Sequence, residues 1–136
     1  MKNFELDSTI ANKKGIYIAY PLTDELQSIY KPKNYKTTVN KLHTKIGITV
    51  KTFKSRAKCY YDNFGTQFKF IPVFFINNKN DIVAVEKKIL EAIKNEFTKR
   101  GRSREWFETI DRERVLKIAK EVLDENKINY SVYKHN

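Results

Sequence analysis

Gly15-Ile16-Tyr17-Ile18-Ala19-Tyr20 places β-branched and aromatic residues behind a glycine and reads as a strand. Residues Lys45 to Val50 (Lys-Ile-Gly-Ile-Thr-Val) read as a second strand, and a helix from about Thr52 to Asn63 follows. A third strand is expected over Phe68 to Ile76, apolar on both faces as near the centre of a sheet. Pro72 removes a ladder donor within it, so a bulge or an edge position is expected there.

Asn77 to Asn80 reads as a turn, with Asn80 or Asp81 capping a helix that runs to about Phe97. Gly101 ends that segment, and Arg104 to Glu108 forms a short extended stretch. Asp111 starts a last amphipathic helix whose apolar face is Val115, Ile118, Ala119, Val122 and Leu123. Residues 21–44, with Pro21 and Pro32, lack a sustained period and read as an insertion or long loop, with one helical turn around Asp24 to Ile29. The polar tail from Asn126 has no evident role. The order β-β-α-β-α with a trailing helix predicts a small single-domain α/β sandwich with a mostly antiparallel sheet flanked by helices.

The chain of 136 residues is the size of one domain, without room for a catalytic unit plus a separate reader. Its 40% apolar and 13% aromatic content exceeds what disordered chains carry. Lys and Arg number 27 against 16 Asp and Glu, a net charge of +11. That excess favours a polyanionic partner, since each neutralised phosphate releases counterions. The one cysteine, Cys59, excludes a disulfide framework and a Cys-based zinc site. The start of the chain carries Glu5 and Asp7 without an apolar region, so no signal peptide is expected. The longest apolar run, Ile71 to Ile76, falls far short of the ~20 residues of a membrane helix. The expectation is a soluble protein of the cytoplasm of a bacterium or a virus-infected cell, without a membrane partner.

Candidate chemistry starts with Glu86. On the helix projection it stands among Ile82, Ile89, Leu90, Ile93 and Phe97, while Lys87, Lys88, Glu91 and Lys94 point outward. A carboxylate turned toward a core costs several kcal/mol unless it is paired or binds a metal. The residues alone leave both outcomes open; a single carboxylate with several waters suits Mg²⁺. Arg56 and Tyr60 share a helix face in line with Phe53 and Phe64, which puts Arg56 at the border of the apolar stripe. It is either a fork for a phosphate or a surface cation. Tyr17 is either core packing or a phenol that must lose its proton, with Lys45 on the neighbouring strand as the cation that eases the loss.

Taken in order, Gly15-Ile16-Tyr17, Lys45-Ile46-Gly47-Ile48-Thr49, Arg56, Glu86 and the string Gly101 to Phe107 (Gly-Arg-Ser-Arg-Glu-Trp-Phe) resemble the GIY-YIG nuclease superfamily, in particular its small phage and viral branch. The resemblance covers residues 15–108, as a nuclease domain with the insertion 21–44, between an N-terminal arm (1–14) and a C-terminal helix and tail (109–136). It implies a metal-dependent DNA endonuclease that leaves 5′-phosphate and 3′-hydroxyl ends and uses Mg²⁺ or Mn²⁺. By that resemblance Tyr17 is the general base, Lys45 stands where most members have tyrosine, and Gly47 lets the backbone pass close to the site. Arg56 holds the scissile phosphate, Tyr60 assists, Glu86 binds the metal, and Glu105, Trp106 and Phe107 are chiefly packing.

The insertion interleaves Tyr30, Lys31, Lys33, Tyr35, Lys36, Lys41 and His43, which suits phosphate contact with base stacking and equally a solvated loop. Lys33, Lys36, Lys41, Lys51, Lys54, Arg102 and Arg104 are the candidate nucleic-acid contacts. The substrate is DNA, duplex or single-stranded, with RNA as an alternative, and a double-strand cut would call for a homodimer. Two other readings compete: a non-catalytic nucleic-acid-binding module on the same fold, and a small interaction protein whose basic surface is incidental.

Overall fold

A computed structural model describes residues 6–28, 37–65 and 67–133. Helix α1 (Ser8–Ala11) leads into strand β1 (Gly15–Pro21), then β2 (Gln27–Ser28), β3 (Thr38–Val39) and β4 (Thr44–Thr49). Helix α2 (Phe53–Phe64), β5 (Phe68–Phe75), α3 (Lys79–Lys94), β6 (Trp106–Phe107), α4 (Arg112–Glu125) and β7 (Ser131–Val132) complete the chain. Five strands form one sheet in the order β6-β4-β1-β5-β7, each neighbour antiparallel. β2 and β3 form a separate two-stranded sheet.

β1 is central, and its burial on both faces follows from its side-chain alternation. Ile16 and Ile18 join Ile46, Ile48 and Phe74 under the apolar faces of α3 and α4. Tyr17 and Ala19 point the other way, into a second core with Phe53, Ala57, Tyr60, Phe68, Phe70 and Trp106, where α2 packs. The result is a helix–sheet–helix sandwich with an aliphatic core on one side and an aromatic core on the other.

The bulge expected around Pro72 is present. Ile16 pairs with Phe74 and Tyr17 with Pro72, which leaves Val73 as the extra residue. Val73 and Phe74 consequently both belong to the α3–α4 core, and the proline needs no donor at the shifted rung. Gly15 lies at φ 138°, where a Cβ would collide with the Phe74 carbonyl oxygen, so glycine is required at the head of β1.

Helix caps behave as short polar side chains do. Thr52 accepts from the Ser55 amide at 3.2 Å and Asp111 from the Arg114 amide at 3.1 Å. The cap of α3 is Asn78, not Asn80 or Asp81: its Oδ1 accepts from both of their amides, at 2.8 and 3.3 Å. The helix ends at Lys94 and does not run to Phe97. No helical turn forms at Asp24–Ser28, where a bend leads into β2; Ile29, like Tyr30, Lys31, Lys33, Tyr35 and Lys36, lies outside the described residues. The tail has a place: β7 pairs with the end of β5. Among the described residues, no helix is long and apolar enough to cross a membrane.

Candidate active site

The antiparallel register of β1 and β4 puts Tyr17 opposite Gly47 and Ala19 opposite Lys45. The Tyr17 ring lies flat over Gly47, so close that any Cβ there would overlap its Cζ, Cε1 and Cε2 atoms. The ring also stacks on Phe70, centroids 4.4 Å apart, and meets Phe53 and Tyr60 edge-on at 6.3 and 5.9 Å. The phenol is therefore fixed on four sides, and Tyr17 is 1% exposed.

Helix α2 supplies the other wall. Phe53, Ala57, Tyr60 and Phe64 recur at helical spacing and are buried. Arg56, one turn from both Phe53 and Tyr60, is half-buried at their border, as the helix projection requires. The Tyr17 and Tyr60 hydroxyls are 3.0 Å apart. Lys45 shares the Gly47 face of β4, and its Nζ stands 5.3 Å from the Tyr60 ring centroid.

A further member comes from the chain entering β6. Glu105 Oε1 lies 3.4 Å from Lys45 Nζ, with side-chain exposures of 29% and 12%. The pairing of Lys45 with Trp106, and the Ile46 amide donating to the Glu105 carbonyl at 3.0 Å, set this approach. Glu105 is thus an electrostatic element of the site as well as the entry to a packing motif. Trp106 and Phe107 are packing, at 3% and 1% exposure. Glu105 had one sequence signal, a charge opposite to that of Lys45, but it means something only once the β4–β6 register is known.

The cluster is electrostatically tense. Burial drives the Tyr17 hydroxyl well above the ordinary phenol range, Tyr60 adds to this, and Lys45 and Arg56 oppose it. The cation effect of Lys45 thus has the direction the sequence suggests, and desolvation outweighs it. Burial also raises Tyr60; the Tyr17 hydrogen bond and Arg56 pull it down, and Glu105 pushes it up. For Arg56, burial favours the neutral form, and the neighbouring Tyr17 and Tyr60 oxygens more than reverse that. A phenolate formed on Tyr17 would find the Arg56 guanidinium beside it.

The structure thus brings together Tyr17, Lys45, Arg56, Tyr60 and Glu105 from β1, β4, α2 and the approach to β6. It does not bring Glu86 into that cluster. Glu86 stands on α3, whose apolar face packs on the opposite side of the sheet, and it is half-buried. Val85, with Ile82, Ile89, Leu90 and Ile93, occupies the inward position that the helix projection gave to Glu86. Glu86 forms no ion pair with a described residue, so the buried-pair alternative is not realised. Among the described residues no group of three or more His, Cys, Asp or Glu could enclose a metal.

Of the candidate nucleic-acid contacts, Lys51 and Lys54 are exposed beside Arg56, and Arg102 and Arg104 are exposed ahead of β6. Lys41 is exposed but pairs with Asp24 at 2.9 Å. Lys33 and Lys36 lie outside the described residues. His43 is no stacking surface: it is 8% exposed, and its Nδ1 accepts from the Asn40 amide at 2.9 Å, which closes a turn.

No curated protein and no solved structure matches this chain. The sequence profile of the T5orf172 domain matches residues 15–123, from the head of β1 into α4. That domain suggests a nuclease-like or nucleic-acid-binding module. Since the match spans well over half of the 136 residues, the chain belongs to the T5orf172 domain family.

Proposed function

We propose that this protein is a GIY-YIG-type, metal-dependent endonuclease that hydrolyses DNA to 5′-phosphate and 3′-hydroxyl ends. The observation that carries the reading is the meeting of Tyr17, Lys45, Arg56 and Tyr60, from three separate elements, around two hydroxyls 3.0 Å apart. A core that needed only apolar filling would use phenylalanine at 17 and 60 and would not surround them with two cations.

In this mechanism Tyr17 is the general base. Its phenolate, paired with Arg56 and helped by Lys45, takes a proton from water, which attacks phosphorus in line with the leaving 3′ oxygen. Arg56 then hydrogen-bonds the phosphate as negative charge builds on it. Tyr60 orients the Tyr17 hydroxyl, and Glu105 holds Lys45 against the two phenols. Glu86, a half-buried carboxylate without an ion-pair partner among the described residues, fits a hydrated Mg²⁺ or Mn²⁺ that keeps most of its waters. Such an ion supplies charge neutralisation at the phosphate.

One observation favours a second reading. Tyr17 is 1% exposed and holds its proton tightly, which suits a binding module on this fold without turnover. Supercoiled plasmid with Mg²⁺ or Mn²⁺ separates the two. The nuclease converts it to open circles, and Tyr17→Phe and Arg56→Ala lose that conversion. A protein that retains plasmid on a gel but never nicks it is the binding module.

A further inference from the structure

Between α3 and the chain that leads into β6 lies a groove of about 180 Å³, lined by Lys87, Leu90, Glu91, Lys94, Lys99 and Arg104. Four of these six side chains are cations, and none of the four pairs with a carboxylate among the described residues. Other cations of this chain do find partners: Lys41, Lys58, Arg100, Arg114 and Lys120 each stand against Asp or Glu. The formal charges around the groove, four positive and one negative, leave +3. Helix electrostatics account for one of them, since Lys94 lies in the last turn of α3, where a cation suits the carbonyl end. Lys87 is mid-helix, and Lys99 and Arg104 belong to the segment after α3, so the dipole explains none of those three.

Size and position select the anion. The volume is below the ~300–1,000 Å³ of a small-molecule pocket, so a free nucleotide is too large to be enclosed. An open groove with cations along both walls and Leu90 between them instead matches a phosphate and its sugar in a continuing chain. Arg104 is followed directly by Glu105, whose carboxylate holds Lys45 in the aromatic cluster, so the groove begins one residue from the candidate active site.

We propose that this groove binds the sugar–phosphate backbone of DNA beside the scissile phosphate, as a second phosphate site outside the catalytic cluster. The proposal rests on the nucleic-acid reading above and adds Lys87, Lys94 and Lys99 to the binding surface. Leu90 contacts the sugar, and the cations release counterions as they neutralise about one phosphate each.

The test is anisotropy of a labelled DNA duplex between 50 and 200 mM salt, with EDTA present so that binding is read without cleavage. The triple variant Lys87→Gln, Lys94→Gln, Lys99→Gln is compared with Lys69→Gln, Lys117→Gln, Lys127→Gln, which removes the same charge from exposed positions elsewhere. The groove triple should bind at least tenfold more weakly at 100 mM salt and flatten the log K against log salt slope by up to about 2.7, at ~0.9 per phosphate. Arg104→Gln alone should flatten it by about 0.9, and the control triple should stay within threefold of wild type. Equal losses in the two triples, or a groove triple that binds like wild type, overturn the groove while leaving nucleic-acid binding intact. A wild type that binds no DNA at any of these salt concentrations overturns both readings.

Discussion

The Tyr17 ring lies on the backbone of Gly47, directly opposite it in the β1–β4 ladder, with no space for a methyl group between them. The ring cannot retreat, because Phe70 stacks on it at 4.4 Å and Phe53 and Tyr60 close its edges. Gly47→Ala should therefore cost about 1–3 kcal/mol or more, the range for overpacking a filled core. It should also tilt the phenol out of reach of Tyr60. Urea unfolding and the plasmid assay check this together: reduced stability with full nicking activity would mean that the Tyr17 position is not critical.

The pH dependence of cleavage follows from the buried phenol. With the Tyr17 hydroxyl held above its usual range, the phenolate is scarce at neutral pH and gains tenfold per pH unit. The rate at saturating metal should climb with a slope near one from about pH 7 to 9 without a plateau. Lys45→Gln removes a cation that lowers the phenol, so it should slow cleavage throughout that range. Glu105→Gln leaves Lys45 without its counter-charge and should move the profile toward lower pH. A uniform loss in Glu105→Gln with no displacement of the profile would give Glu105 a packing role only.

Arg112 tests the frame around the site. Its Nε donates to Thr44 Oγ1 at 2.9 Å, and one terminal nitrogen donates to the carbonyls of Lys41 and His43 at 2.9 and 3.1 Å. The guanidinium carbon lies 3.4 Å from the centroid of the Tyr20 ring. These contacts tie the start of α4 to the entrance of β4 and the end of β1. Arg112→Ala should destabilise the fold by roughly 2–4 kcal/mol, from about three hydrogen bonds and one stacked cation. Arg112→Lys should recover little of that, since an ammonium cannot form the planar fork. Thermal or urea midpoints measure both variants.

The parts of the fold that depend on local pattern were legible in the sequence. The buried face of α4 is the stripe Val115, Ile118, Ala119, Val122 and Leu123 that its period indicates, and the Pro72 bulge follows from a missing donor. Tyr17, Arg56 and Tyr60 converge because each is set by strand alternation or helix spacing. Elsewhere tertiary packing decided. Val85 and Glu86 are neighbours at the edge of the same stripe, and docking of α3 on α4 turned Val85 inward. Asn78, Asn80 and Asp81 are chemically equivalent as caps, and only geometry selects Asn78. The role of Glu105 needed a strand register that no local pattern supplies.

Glu86 provides the last prediction. Because it is half-buried, stands at the border of the apolar face of α3 and has no ion-pair partner among the described residues, its charge contributes no pairing energy to the fold. Glu86→Ala should therefore unfold within about 1 kcal/mol of wild type, with stabilisation as plausible as loss, since relieving a partly desolvated carboxylate is favourable. Cleavage should disappear, DNA binding in EDTA should persist, and Glu86→Asp should recover part of the activity at raised Mg²⁺ or Mn²⁺. Calorimetric titration of metal into the protein with uncleavable DNA supplies the independent readout. Wild type should take up an ion that Glu86→Ala does not. Equal uptake by both proteins, or cleavage by the alanine variant at the wild-type rate, would remove Glu86 from the metal site.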